Sequence, residues 1–178
     1  SKKIDDLALL PVNRLSIGIQ SFFADDLHYL NRVHSAEQAE QSILLTREAG
    51  FDNLTIDLIY GMPTLTDEKW LSNLEKWKAY ELPHLSAYGL TVEPKTALEN
   101  LIRKRKMEPV KDQHIAGQFR MLMAFANENG ITHYEISNFC NGHSYSKHNT
   151  NYWFGKKYLG LGPSAHSFDL ESRYWNVS

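Results

Sequence analysis

The sequence predicts an α/β fold in which helices cover a parallel sheet. Three short apolar, β-prone runs carry that prediction: LSIGIQ from Leu15 to Gln20, LTIDLIY from Leu54 to Tyr60 and HLSAYGL from His84 to Leu90. They recur about 35 residues apart, and the intervals hold segments with helical caps and periodicity, the spacing that a crossover between parallel strands requires. Composition agrees, since 178 residues with 42% hydrophobic and 22% charged content suffice for a sizeable core and exclude a disordered chain.

The elements follow in order. The opening SKKIDDLALLPVNRLSIGIQ has neither an initiator methionine nor a targeting pattern and reaches the first strand almost at once, which reads as the interior of something longer. After a polar loop, Ser35 with Gln38 three residues on makes a capping-box start, and Gly50 ends that helix. LTIDLIY, closed by Gly61 and Pro63, is a buried strand. TDEKWLSNLEKWKAY starts a helix near Thr66, sets Trp70, Leu71, Leu74 and Trp77 on one face and stops before Pro83, where HLSAYGL begins the third strand. Past Pro94 the rhythm breaks. TALENLIRKRKM and DQHIAGQFRMLMAFANENG read as helices, the second amphipathic through Ile115, Phe119, Leu122 and Phe125 or Ala126 and capped by Gly130. HYEISNF and RYWNV read as strands separated by a loop, HNTNYWFGKKYLGLGPSAHSF. Two domains are expected, 1–94 for the strand-helix units and 95–178 for a helical and β extension.

Several functions are disfavoured. A net charge of −2 and a pI near 6.4 offer no field that would recruit nucleic acid, and the one basic run, Arg103 to Lys106, reads as the solvated end of a helix. No apolar run approaches the roughly 20 residues of a membrane span, and a cytoplasmic location is expected. The single cysteine, Cys140, excludes an internal disulfide or an all-cysteine metal site made by this chain alone. With nothing to lower its pKa, Cys140 reads as a buried or incidental thiol rather than a nucleophile.

Side chains alternate along a strand, so Ser16, Gly18 and Gln20 oppose Leu15, Ile17 and Ile19, and Thr55, Asp57 and Ile59 oppose Leu54, Ile56 and Leu58. A carboxylate in such a run is paired, hydrogen-bonded or open to a ligand. Asp57 and Gln20 sit at or near the carboxyl ends of their strands, where α/β sheets bind ligands, and a ribose or amino-acid group would suit them. The alternative is that Asp57 caps its loop or pairs with Arg32. In the terminal segment His148 could ligate a metal or a haem iron, with Tyr152 and Trp153 walling a flat aromatic ligand. Alternatively, these rings are core aromatics and His148 is hydrogen-bonded within a loop. His143 and His166 are weaker candidates, and the glycines of YLGLGPSAHSF fit turns better than a phosphate cradle.

Five separated blocks, NRLSIGIQSF, NLTIDLIYGMPTLT, HLSAYGLTVEPKT, YEISNF and HNTNYWFGKKYLGLGPSAHSF, resemble the oxygen-independent coproporphyrinogen III oxidase family of radical S-adenosylmethionine (SAM) proteins. Within it they look most like the haem chaperone W branch. The resemblance runs from about Asn13 to Asn176. It implies the C-terminal half of a three-quarter, TIM-like (β/α)₆ radical SAM barrel plus the start of an α+β C-terminal domain. By position, Gln20, Arg32 and Asp57 fall on the family's SAM contacts, with Asp57 at the ribose, and Ile59 and Thr91 on neighbouring ones. HNTNYW resembles the H-N-x-x-Y-W motif of the haem-binding branch, which makes His148 the leading candidate iron ligand, supported by Tyr152 and Trp153.

The family's C-x-x-x-C-x-x-C loop, which holds the [4Fe-4S] cluster, has no counterpart here, so the chain is expected to be a fragment without radical activity. Two functions are implied for the parent. One is a carrier that binds haem and delivers it to acceptor proteins, which HNTNYW favours. The other is an oxidase of porphyrin biosynthesis that decarboxylates coproporphyrinogen III. A half-barrel would also expose a strand edge, so self-association is expected.

Overall fold

The computed structural model describes residues 2–177, and the chain divides into two compact units between Ser144 and Tyr145. In the first unit the elements run α1 (Lys2–Ala8), β1 (Leu15–Gln20), α2 (Ala24–Tyr29), α3 (Ala36–Glu48), β2 (Leu54–Tyr60), α4 (Asp67–Ala79), β3 (His84–Gly89), α5 (Ala97–Arg103), α6 (Asp112–Glu128), β4 (Thr132–His133) and β5 (Asn138–Cys140). The three strands predicted as parallel are so: Leu15 pairs with Leu54, and Asp57 with Ser86. The sheet as a whole is mixed, in the order β1-β2-β3-β5-β4. HYEISNF does not form one strand; it turns between β4 and β5, which pair antiparallel, and β5 joins β3 with Phe139 opposite Leu85. Two short helices arise where none was expected, α1 in the opening segment and α2 in the loop after β1.

One apolar face is buried under helices. Ile19, Leu54, Ile56, Leu58 and Leu85 pack with Ile43 of α3, Trp70, Leu74 and Trp77 of α4, and Leu122 and Phe125 of α6 in one cluster. Local chemistry fixes the helix starts. Ser35 and Gln38 form the predicted capping box, and the Thr66 hydroxyl accepts from the Lys69 amide. Gln118 of α6 fastens the loop after β2: its Oε1 accepts from the Gly61 amide at 2.7 Å and its Nε2 donates to the Leu65 carbonyl at 2.8 Å. With both ends held, that loop lies fixed beside the carboxyl ends of the strands.

The second unit holds α7 (Lys147–Trp153), β6 (His166–Phe168) and β7 (Arg173–Trp175), the last two pairing antiparallel. HNTNYW therefore lies on a short helix, not in a loop as expected, with the Ser146 hydroxyl capping it by accepting from the Asn149 amide at 3.4 Å. The glycines downstream serve turns and close approach. A side chain at Gly160 would collide with the His166 carbonyl, and the Asn176 amide donates to the carbonyls of Gly160 and Gly162.

Candidate functional site

The sheet face opposite the helices is polar, and its side chains form ordered rows. At the amino end of the strands Arg14 donates to the Thr55 hydroxyl, which lies 3.2 Å from Nδ1 of His84, whose Nε2 is 2.7 Å from the Tyr134 hydroxyl. The directions close consistently for a neutral imidazole carrying its proton on Nε2. Burial, aided by the Arg14 charge, pushes the His84 pKa down to about 3. One row nearer the carboxyl end, the Ser16 hydroxyl donates to Asp57 Oδ1 at 3.1 Å, while the Ser86 hydroxyl donates to Asn138, whose amide donates to Glu135. Burial raises the Asp57 carboxyl above the usual carboxylate range, and the Ser16 hydroxyl works against that rise.

Gln20 reaches this face by an unexpected route. Simple alternation from Ser16 would place it there, but β1 bulges between Ile17 and Gln20, so that Gln20 aligns with Leu58, the residue between Asp57 and Ile59. Gln20 then adopts a left-handed backbone, φ 69°, uncommon for a residue with a side chain. Its amide folds back over Gly18, where a Cβ would sit only 2.7 Å from Nε2. The missing side chain of Gly18 is what makes room for the amide.

The structure thus sets Gln20, Asp57 and Ile59, the last half-buried opposite Tyr88, in the carboxyl-terminal half of the strands. Arg32 and Thr91 lie in the segments following α2 and β3, both exposed; Arg32 makes no ion pair with Asp57 among the described residues. In the second unit, His148 and Tyr152 stand one helical turn apart with ring centroids 4.9 Å apart, edge to face, and Tyr152 meets Tyr158 at 4.7 Å. His148 is exposed, as are Tyr152 and Trp153 at 46% and 58%, so these rings do not form a closed core. Trp153, five residues on, is turned about 140° round the helix from His148. His166 is exposed beside Trp175, and His143 lies exposed in the first unit. Sequence reasoning missed His84, Ser86, Tyr134 and Asn138, although the alternation His84, Ser86, Tyr88 in step with Thr55, Asp57, Ile59 carries the signal.

Residues 1–77 match the model of the radical SAM superfamily. That stretch is similar to the radical SAM superfamily. The chain is 35% identical over 99% of its length to a protein of Bacillus subtilis named heme chaperone HemW, and 34% identical over 92% to a protein of that name from Mycobacterium tuberculosis. A mouse protein named radical S-adenosyl methionine domain-containing protein 1, mitochondrial, is 36% identical over 87% of the chain. The chain spans 47%, 42% and 35% of these relatives, under half of each. The solved structure described as coproporphyrinogen III oxidase (HemN) from Escherichia coli, a radical SAM enzyme, superposes with a TM-score of 0.77. The match covers 99% of this chain and 43% of that one at 23% identity, and shows the radical SAM fold.

The radical SAM family in general uses SAM and a [4Fe-4S] cluster. The described residues do not fit the cluster, since Cys140 is buried with its pKa raised by burial and no group of three His, Cys, Asp or Glu side chains is placed to hold a metal. Asp57, midway along β2, presents a carboxylate and Gln20, the last residue of β1, an amide, groups of the kind that hydrogen-bond the hydroxyls of a nucleoside. No helix among the described residues is long and apolar enough to cross a membrane.

Proposed function

We propose that this chain is part of a cytoplasmic haem-binding chaperone that passes haem to acceptor proteins, in which SAM has a supporting role and a [4Fe-4S] cluster is held by residues outside this chain. The observation that carries this reading is the exposed pair His148 and Tyr152 on α7, in a chain with curated relatives named heme chaperone HemW. An imidazole held edge-on to a tyrosine and open to solvent suits an iron ligand, and Tyr152 gives a flat surface beside it for a porphyrin, while the exposed Trp153 offers another on a different side of α7. Gln20, Arg32, Asp57, Ile59 and Thr91 are the proposed SAM contacts. The free edge of β1 is a proposed site of self-association.

The test is to load the whole protein with haemin and mix it with apomyoglobin, and separately to incubate it anaerobically with SAM, a reductant and coproporphyrinogen III. Transfer of haem without decarboxylation is the expected result. Release of carbon dioxide with formation of protoporphyrinogen IX would replace this reading with the oxidase.

A further inference from the structure

A buried polar cluster lies directly behind Gln20. Asp26 of α2 is fully buried, and its two carboxylate oxygens each accept a hydroxyl, from Ser21 and from Thr64, both at 2.7 Å. Ser21, the residue after Gln20, also accepts from the Asn73 amide at 3.2 Å, while Asn73 Oδ1 accepts from the Phe22 amide at 3.0 Å. Asn73 belongs to α4 and is fully buried as well. Four elements converge here: the end of β1, α2, the loop after β2 and α4.

From this convergence we infer that the Ser21, Asp26 and Asn73 cluster is a positioning device. It holds the backbone at Gln20 in its left-handed conformation and so aims the Gln20 amide across Gly18 at the ligand. A left-handed conformation in a residue with a side chain persists only where its surroundings over-determine it. Here the residues that follow Gln20 are pinned at the Ser21 hydroxyl and the Phe22 amide, and Ser21 closes a tight turn through its amide to the Ile19 carbonyl at 3.0 Å. A polar cluster of this kind is an expensive way to stabilise a core, since an apolar trio would fill the space without burying a carboxylate. What it supplies is direction. The hydrogen bonds fix Ser21 in one orientation, and the bulge leaves Gln20 no regular strand geometry to adopt instead. Asp26 does not touch the ligand; it acts through Ser21 and Gln20.

The inference rests on Gln20 as a SAM contact only for its consequence, so two readouts are used on this chain. Backbone ¹³C shifts report the conformation of Gln20 without any ligand. Equilibrium dialysis with SAM reports affinity for the wild type, Asp26→Asn, Gln20→Ala, the double variant and Asp57→Asn. The expected result is that Asp26→Asn shifts Gln20 out of the left-handed region and weakens SAM about tenfold, as loss of an outer orienting partner does. The double variant should bind no more weakly than Gln20→Ala alone. Unchanged Gln20 shifts in Asp26→Asn, or losses that add in the double variant, would make the cluster merely structural and overturn the inference. Where Asp26→Asn does not fold, Ser21→Ala cuts the same link and leaves Asp26 bonded to Thr64. Should the wild type fail to bind SAM, the SAM assignment falls, while the shifts still decide whether the cluster sets Gln20.

Discussion

Nε2 of His84 lies 2.7 Å from the Tyr134 hydroxyl, the last link of a polar chain that starts at Arg14 and leaves the imidazole neutral and buried. With the folded pKa near 3 against an ordinary 6.5, the unfolded chain takes up a proton that the folded one refuses throughout that window. Stability is therefore full above pH 6.5 and is lost as pH falls toward 3, with a slope approaching about 1.4 kcal/mol per pH unit. Urea denaturation from pH 7 to pH 4 should show this slope and should show it flattened in His84→Gln, which keeps a hydrogen-bonding side chain that does not titrate. Equal slopes in the two proteins would contradict the assignment.

Asp57 has the opposite sign. Its raised pKa means that the folded state holds its proton to higher pH than the unfolded chain, so stability falls as pH rises from the ordinary 3.8 through the raised value and stays lower at neutrality. Asp57→Asn should raise the melting temperature at pH 7, where the buried carboxylate is charged, and the gain should vanish below pH 3.8. SAM affinity should fall about tenfold in the same variant, because a charge-assisted hydrogen bond is lost. A variant that loses stability and keeps affinity would argue for a purely structural aspartate.

Gly18→Ala would set a Cβ 2.7 Å from the Gln20 amide nitrogen. Because that atom ends a flexible side chain, the amide should swing away at little cost to the fold, under about 1 kcal/mol, while SAM affinity falls severalfold. Melting curves together with dialysis separate these effects; a large loss of stability with unchanged binding would contradict the role given to Gly18.

Gln118→Ala removes the bonds at the two ends of the loop after β2 and leaves the Gly61 amide without its acceptor. The expected cost is about 2–3 kcal/mol, read as a lower urea midpoint at unchanged slope. A loss under about 0.5 kcal/mol would mean that the loop finds other partners.

Much of the first unit was legible because its strands are apolar runs whose parity survives folding: Asp57 stands out in the sequence as a carboxylate opposite Leu54, Ile56 and Leu58, and it lies on the polar face. Gln20 was legible only in outcome. Alternation pointed to the right face, but the bulge and the left-handed turn that bring it there are set by Ser21, Asp26 and Asn73, which come together only in three dimensions. The antiparallel hairpin was hidden because two strands of two and three residues are too short for alternation to register. The helical setting of HNTNYW had a local signal, Ser146 as a cap and His148 with Tyr152 at a spacing of four, but the glycines around it made the whole segment read as loop.

The haem-carrier reading meets its most direct test in a haemin titration followed by absorbance on this chain and on His148→Ala. It predicts saturable one-to-one binding with a shifted Soret band in the wild type, and loss of that shift in the variant, whose fold is otherwise unchanged. An identical Soret shift in His148→Ala, or no saturable binding by the wild type, would contradict it.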